Sequence, residues 1–116
     1  MLKQNSERDI NVIGNGTVIE GSFTSNGSLS VKGKIVGDVK IDGNIEIGTS
    51  GTIEGNVVGK LIKISGIVKG SINCSDVLSF YSKANVQGDI YASKLVIEEG
   101  AKFNGSCKMS EQVVFK

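Results

Sequence analysis

Apolar side chains recur at every second position over short stretches of this chain, lapse at a small residue or a turn, and then resume. The stretch GTIEGNVVG (51–59) is typical: Ile53 and Val57 lie in phase on either side of Gly55. A period of two is the strand period, and no segment sustains the 3.6-residue period of a helix. The glycines also argue against helix, where each costs about 1 kcal/mol relative to alanine.

The pattern is a repeat. TVIEGSFT (17–24), GKIVGDVK (33–40), GTIEGNVV (51–58), GIVKGSIN (66–73), ANVQGDIY (84–91) and AKFNGSCK (101–108) align on Gly21, Gly37, Gly55, Gly70, Gly88 and Gly105, at spacings of 16, 18, 15, 18 and 17 residues. Two residues before each glycine stand Ile19, Ile35, Ile53, Val68, Val86 and Phe103. Two after it stand Phe23, Val39, Val57, Ile72, Ile90 and Cys107. Four after it the residue is small or apolar: Ser25, Ile41, Gly59, Cys74, Ala92 and Met109. An apolar-x-apolar pair closes each unit: Leu29/Val31, Ile45/Ile47, Ile62/Ile64, Leu78/Phe80, Leu95/Ile97 and Val113/Phe115. Ile13, in INVIGNG, occupies the place of Ile47 in IEIGTSG, so a partial turn precedes the first full one.

Units of 15 to 18 residues built from short strands are too short for helix pairs and fit the coils of a β-solenoid. The pattern predicts an all-β rod of about six coils stacked at the sheet spacing of about 4.8 Å. The shared glycines are architectural: each either leaves room for facing side chains or supplies a bend that a Cβ would resist. The absence of proline agrees, because every coil must donate backbone N–H groups to its neighbour. In the outward columns Glu20, Val36, Glu54, Lys69, Gln87, Asn104 and Thr24, Lys40, Val58, Asn73, Tyr91, Lys108, no two adjacent coils stack like charges.

Composition narrows the function more than the fold. The 116 residues suffice for one domain, with a polar tail over 1–10 and the repeat array over 11–116. A formal charge of +1, from 13 basic and 12 acidic residues, leaves no electrostatic footprint for nucleic acid or a polybasic membrane patch. No apolar run reaches the length of a membrane span, and MLKQNSERDI has no signal-peptide core, so the expected address is the cytoplasm. Cys74 and Cys107 read as two buried small hydrophobes. No phosphate-cradling G-x-x-x-x-G-K-[ST] loop is present, so no nucleotide is expected. Histidine is absent, and Asp38, Asp42, Asp76 and Asp89 do not recur at the spacing of a calcium β-roll, so no metal or other cofactor is expected.

With the array laid out, GNGTVIEGSFTSNGSLSVKGKIVGDV (14–39), GTSGTIEGNVVG (48–59) and GDIYASKLVIEEGAKFNGSCKM (88–109) resemble the bactofilins, bacterial polymer-forming cytoskeletal proteins. The likeness covers nearly all of the chain after residue 10. It implies a right-handed, three-sided parallel β-helix, a hand that the period-two pattern by itself leaves open. It further implies nucleotide-independent filaments made by end-to-end contact, non-polar because like ends meet. The implied role is a scaffold for cell-shape, cell-wall or polarity proteins. Some members touch the membrane through a short N-terminal segment. Here Met1 and Leu2 are the residues available for that contact at the inner face of the membrane, with a solvated tail as the alternative. Many bactofilins carry long, often proline-rich tails; the tails here are short, so tail-borne partner sites are not expected.

Self-assembly is also expected from the repeat itself. A solenoid has two open ends, which usually need polar caps, and no capping helix is legible at either end. The candidate end contacts are Ile13, Val18, Ile19 and Phe23 at the N-terminal end and Phe103, Met109, Val113 and Phe115 at the C-terminal end, each with an ordinary core rung as its alternative. Two other readings compete. A hexapeptide-repeat acyltransferase is opposed by the irregular spacing and the missing histidine, so no enzyme is expected. In a non-polymerising β-solenoid that binds polysaccharide, ice or a protein partner, an ice face would show stacked threonines and a glycan face exposed aromatics. The four threonines do not stack, and Tyr81 and Tyr91 do not form a ladder. Glu98 and Glu99 are adjacent and read as solvated corner residues.

Overall fold

The structure is a computed structural model that describes residues 10–115, with side chains described over 11–108. Met1 and Leu2 lie outside the described residues. Every described element is a β-strand and every pairing is parallel.

The strands form three faces. The chain enters on face A with β1 (Ile10–Ile13). Each following coil then crosses face B, face C and face A. The first coil is β2 (Val18–Glu20), β3 (Phe23–Asn26) and β4 (Ser28–Val31). The second is β5 (Lys34–Val36), β6 (Val39–Asp42) and β7 (Asn44–Ile47). The third is β8 (Thr52–Glu54), β9 (Val57–Gly59) and β10 (Leu61–Ile64). In the fourth coil β11 (Ile67–Lys69) covers face B and β12 (Ile72–Phe80) bends through faces C and A. In the last two coils β13 (Asn85–Ile97) and β14 (Lys102–Phe115) each run through all three faces.

The register follows the sequence columns. Ile19, Ile35, Ile53, Val68, Val86 and Phe103 pair in series on face B. Phe23, Val39, Val57, Ile72, Ile90 and Cys107 do so on face C. On face A, Ile13 continues the Val31 and Ile47 column as the partial turn requires. The interior coils bury Ile35, Val39, Ile41, Ile45, Ile47, Ile53, Val57, Ile62 and Ile64 almost completely, and no polar or charged side chain is buried among the described residues. Outside, Lys34 pairs with Glu54 at 3.4 Å and Lys60 with Asp42 at 3.3 Å, so opposite charges meet on neighbouring coils.

Unequal coil lengths are absorbed at corners. The long units turn through four residues, with Gly51 N–H bonded to Gly48 O at 2.8 Å and Ala84 N–H to Tyr81 O at 2.9 Å. The short units cut this corner with two residues, Lys32-Gly33 and Ser65-Gly66. Smaller shifts between Cys74 and Val77 and between Ala92 and Lys94 take up the remainder at the C-to-A corner.

The two roles considered for glycine belong to different residues. The six shared glycines all have positive φ, from 126° to 148°, a backbone region that resists a Cβ. They supply the bend between faces B and C. At Gly55 an added Cβ would also run into the backbone carbonyl of Gly37 one coil below, and the stack repeats through Gly70, Gly88 and Gly105. It is backbone, not a facing side chain, that needs this space. Room for side chains is supplied by Gly59, which has no positive φ. A Cβ there would lie 2.8 Å from Ile45 Cδ1 and 3.3 Å from Ile62 Cγ1.

Candidate assembly interface

The end coils carry the same columns as the interior with one neighbour missing. At the N-terminal end Ile13 is 7% exposed on β1, while Ile19 and Phe23 are half-buried against the core. These three lie around one cross-section. Val18 does not join them: it stands outward on face B in register with Lys34 and is 60% exposed. Gly21 has the strained φ of its column, but a Cβ there would meet nothing within 4 Å.

At the other end Phe103 is half-buried, its ring 6.0 Å from that of Phe80. Cys107 is exposed, contrary to the expectation of two buried thiols. The reason is position. Cys107 continues the column of Val57, Ile72 and Ile90, which are about 1% exposed, and no described coil lies beyond it. Met109, Val113 and Phe115 pair in register with Ala92, Leu95 and Ile97; their side chains lie outside the described residues. Cys74, two coils inward, is buried, and its Sγ lies 3.0 Å from Lys60 O. Burial pushes the Cys74 thiol above the ordinary thiol range, against backbone hydrogen bonds from Asp76 and Ile62 that act the other way. Partial burial shifts Cys107 in the same direction.

Two polar residues at the N-terminal end head inward columns, Ser25 placed in the repeat only as a small residue and Asn11 not placed at all. Asn11 stands in register with Leu29, at the head of an otherwise apolar column, and Ser25 heads the column of Ile41. Asn11 Nδ2 donates to Ser25 Oγ at 2.7 Å and to Ser28 O at 3.3 Å, and Ser25 Oγ donates to Asn26 O at 2.9 Å. This hydrogen bond joins face A to face C across the end of the core. The available signal was a polar residue in an inward column, which is tolerable only where water reaches the site.

Elsewhere the surface offers little chemistry. Among the described residues no three His, Cys, Asp or Glu side chains gather as metal ligands. A depression on face A is lined by Ser28, Ser30, Asn44, Glu46, Leu61 and Lys63. Tyr91 is half exposed on face C with Lys108 Nζ 5.8 Å from its ring centre. Among the described residues no helix is long and apolar enough to cross a membrane.

Residues 11–108, nearly all of the described solenoid, match the family model described as bactofilin, polymer-forming cytoskeletal. The chain belongs to the bactofilin family. It is 30% identical to bactofilin BacP of Myxococcus xanthus over 110 residues, 95% of this chain and 46% of the relative. It is 31% identical to bactofilin BacO of the same organism over 98 residues, 84% of this chain and 78% of the relative. The chain thus spans about half the length of BacP (46%). The solid-state NMR structure of the cytoskeletal bactofilin BacA superposes with a TM-score of 0.79 at 30% identity, covering 89% of this chain and 98% of that one. A bactofilin is a structural cytoskeletal protein, and the inward positions with no described coil beyond them, Ile19 and Phe23 at one end and Phe103 and Cys107 at the other, are the features of this one that bear on assembly.

Proposed function

We propose that this protein assembles into filaments by stacking its rods end to end, without nucleotide, and that the filament serves as a scaffold for cell-shape, cell-wall or polarity proteins. The observation that carries the reading is Cys107. It sits in an inward column whose interior members are buried, yet it is exposed, with no described coil beyond it. A second copy stacked on that end would remove the apolar cross-section from water and pair the free strand edges, both favourable. Contacts that repeat along an axis give filaments, where closed interfaces give rings or dimers. The family resemblance supports junctions between like ends, hence a non-polar filament. Ile13, Ile19 and Phe23 would face one junction and Phe103, Met109, Val113 and Phe115 the other, with Val18 at the rim. Met1 and Leu2 would supply any contact with the inner face of the membrane.

The test is negative-stain electron microscopy of the purified, untagged chain without nucleotide or metal, beside the Phe115→Arg variant. Unbranched filaments a few nanometres wide are expected for the parent, and short folded particles for the variant. Discrete rods of the parent at high concentration would overturn the reading and favour a solenoid that binds a different partner. Unchanged filaments of the variant would remove Phe115 from the junction.

A further inference from the structure

We propose that the two ends of the rod make junctions of unequal strength, and that the N-terminal junction, built around the Asn11–Ser25 hydrogen bond, is where the filament comes apart. This rests on the end-stacking reading above and adds its order of assembly.

The two cross-sections differ in chemistry. At the C-terminal end the described inward residues are Ala101, Phe103 and Cys107, and the backbone register continues the inward columns through Met109, Val113 and Phe115, none of them a polar residue type. At the N-terminal end Asn11 and Ser25 replace the leucine and isoleucine of the coil below and bond to each other across the opening. Both are half-buried, so the pair is in partial contact with water. Covering the described part of the C-terminal layer, Ala101, Phe103 and Cys107, removes apolar surface from water without dehydrating an amide or a hydroxyl of those three side chains. Covering the N-terminal layer must dehydrate a side-chain amide and a hydroxyl for less apolar gain.

The same difference orders the ends. Joining the N-terminal layer of one copy to the C-terminal layer of another would set Asn11 and Ser25 against Phe103 and Cys107. Joining like ends keeps the amide and hydroxyl next to another amide and hydroxyl, and the apolar layer next to an apolar layer. The unit of assembly is then a pair of copies joined at their C-terminal layers, and pairs add through their N-terminal layers.

Sedimentation velocity of the full chain across a dilution series tests this. Ser25→Arg blocks the N-terminal layer and is expected to leave dimers that survive dilution. Phe115→Arg blocks the other layer and is expected to leave dimers that separate into monomers at a concentration about tenfold higher or more. The double variant Asn11→Leu/Ser25→Ile, which makes the first layer resemble the second, is expected to form filaments that resist about tenfold greater dilution than the parent. It keeps the test open if the arginine variants fail to fold. Filaments of the parent with only monomers of Ser25→Arg would mean that unlike ends meet, and would overturn this inference while leaving end stacking intact. A Phe115→Arg dimer as dilution-resistant as the Ser25→Arg dimer, or a double variant no more persistent than the parent, would also overturn it. A parent that forms no filaments fails the earlier reading first.

Discussion

The interior coils and the end coils are written in the same residues and live in different surroundings. Ile53 in the third coil is fully buried, whereas Ile19, in the same column of the first coil, is only half-buried. Gly55 is pressed against the backbone of Gly37, whereas Gly21, with a similar φ, faces open space. Ile90 is buried and Cys107, its partner one coil on, is exposed. In a solenoid an inward position becomes core only when a coil lies on both sides of it. Among the described residues, what sets the N-terminal section through the core apart from the C-terminal one is the Asn11–Ser25 polar pair.

The comparison can be broken most sharply at the glycines, measured by urea unfolding in the non-assembling Ser25→Arg/Phe115→Arg background. Gly55→Ala combines a left-handed backbone with a collision against another coil's carbonyl, and is expected to cost about 3 kcal/mol or more. Gly21→Ala carries the backbone strain without the collision and is expected to cost about 1–2 kcal/mol. Equal losses would mean that close approach between coils is unimportant.

The next contrast is between side chains in one column. Ile53→Ala is expected to destabilise by about 2–5 kcal/mol, the range for buried aliphatic truncation, and Ile19→Ala by about half as much. In assembled parent protein the gap should narrow, because stacking would bury Ile19. A gap that is the same in both states would argue that the N-terminal layer stays uncovered.

The thiols give a smaller, kinetic contrast. In the dispersed variant Cys107 is expected to react with a thiol reagent at least about tenfold faster than Cys74, because only Cys107 is accessible without local opening. The Cys74 thiol is held above its ordinary range by burial, so its folded state favours the proton. That contribution to stability is complete below the unfolded thiol's range and is lost as pH rises through the folded value. Cys74→Ser should flatten this alkaline fall, and Cys107→Ser should alter it less. The smallest effect is expected at the exposed Lys60–Asp42 pair, where Asp42→Asn should shift stability by less than about 1 kcal/mol.

The fold was legible because two signals reinforced each other. Period-two apolar residues placed each side chain inward or outward, and a glycine at a fixed offset marked where each coil bends. The registers of Ile35 with Ile53 and of Ile45 with Ile62 follow from these alone. What the glycine does was not legible, since positive φ and room for a facing side chain leave the same residue in the sequence. The structure divides them between Gly55 and Gly59. The ends were harder. Cys107 reads as core by its column, and it is exposed because no described coil lies beyond it. Ser25 reads as merely small, Asn11 falls before the first aligned unit, and their hydrogen bond requires the register of β1 against β4.

End-to-end stacking is tested most directly by the reactivity of Cys107 in the assembled protein. Cys74→Ser filaments and their Ser25→Arg/Phe115→Arg dispersed counterpart would be treated with the same thiol reagent under conditions that keep the filaments intact. If rods join through the C-terminal layer, Cys107 should react at least about tenfold more slowly in the filament than in the dispersed rod. Equal rates in the two states would show that this end remains open to solvent within the filament, and that the rods are joined some other way.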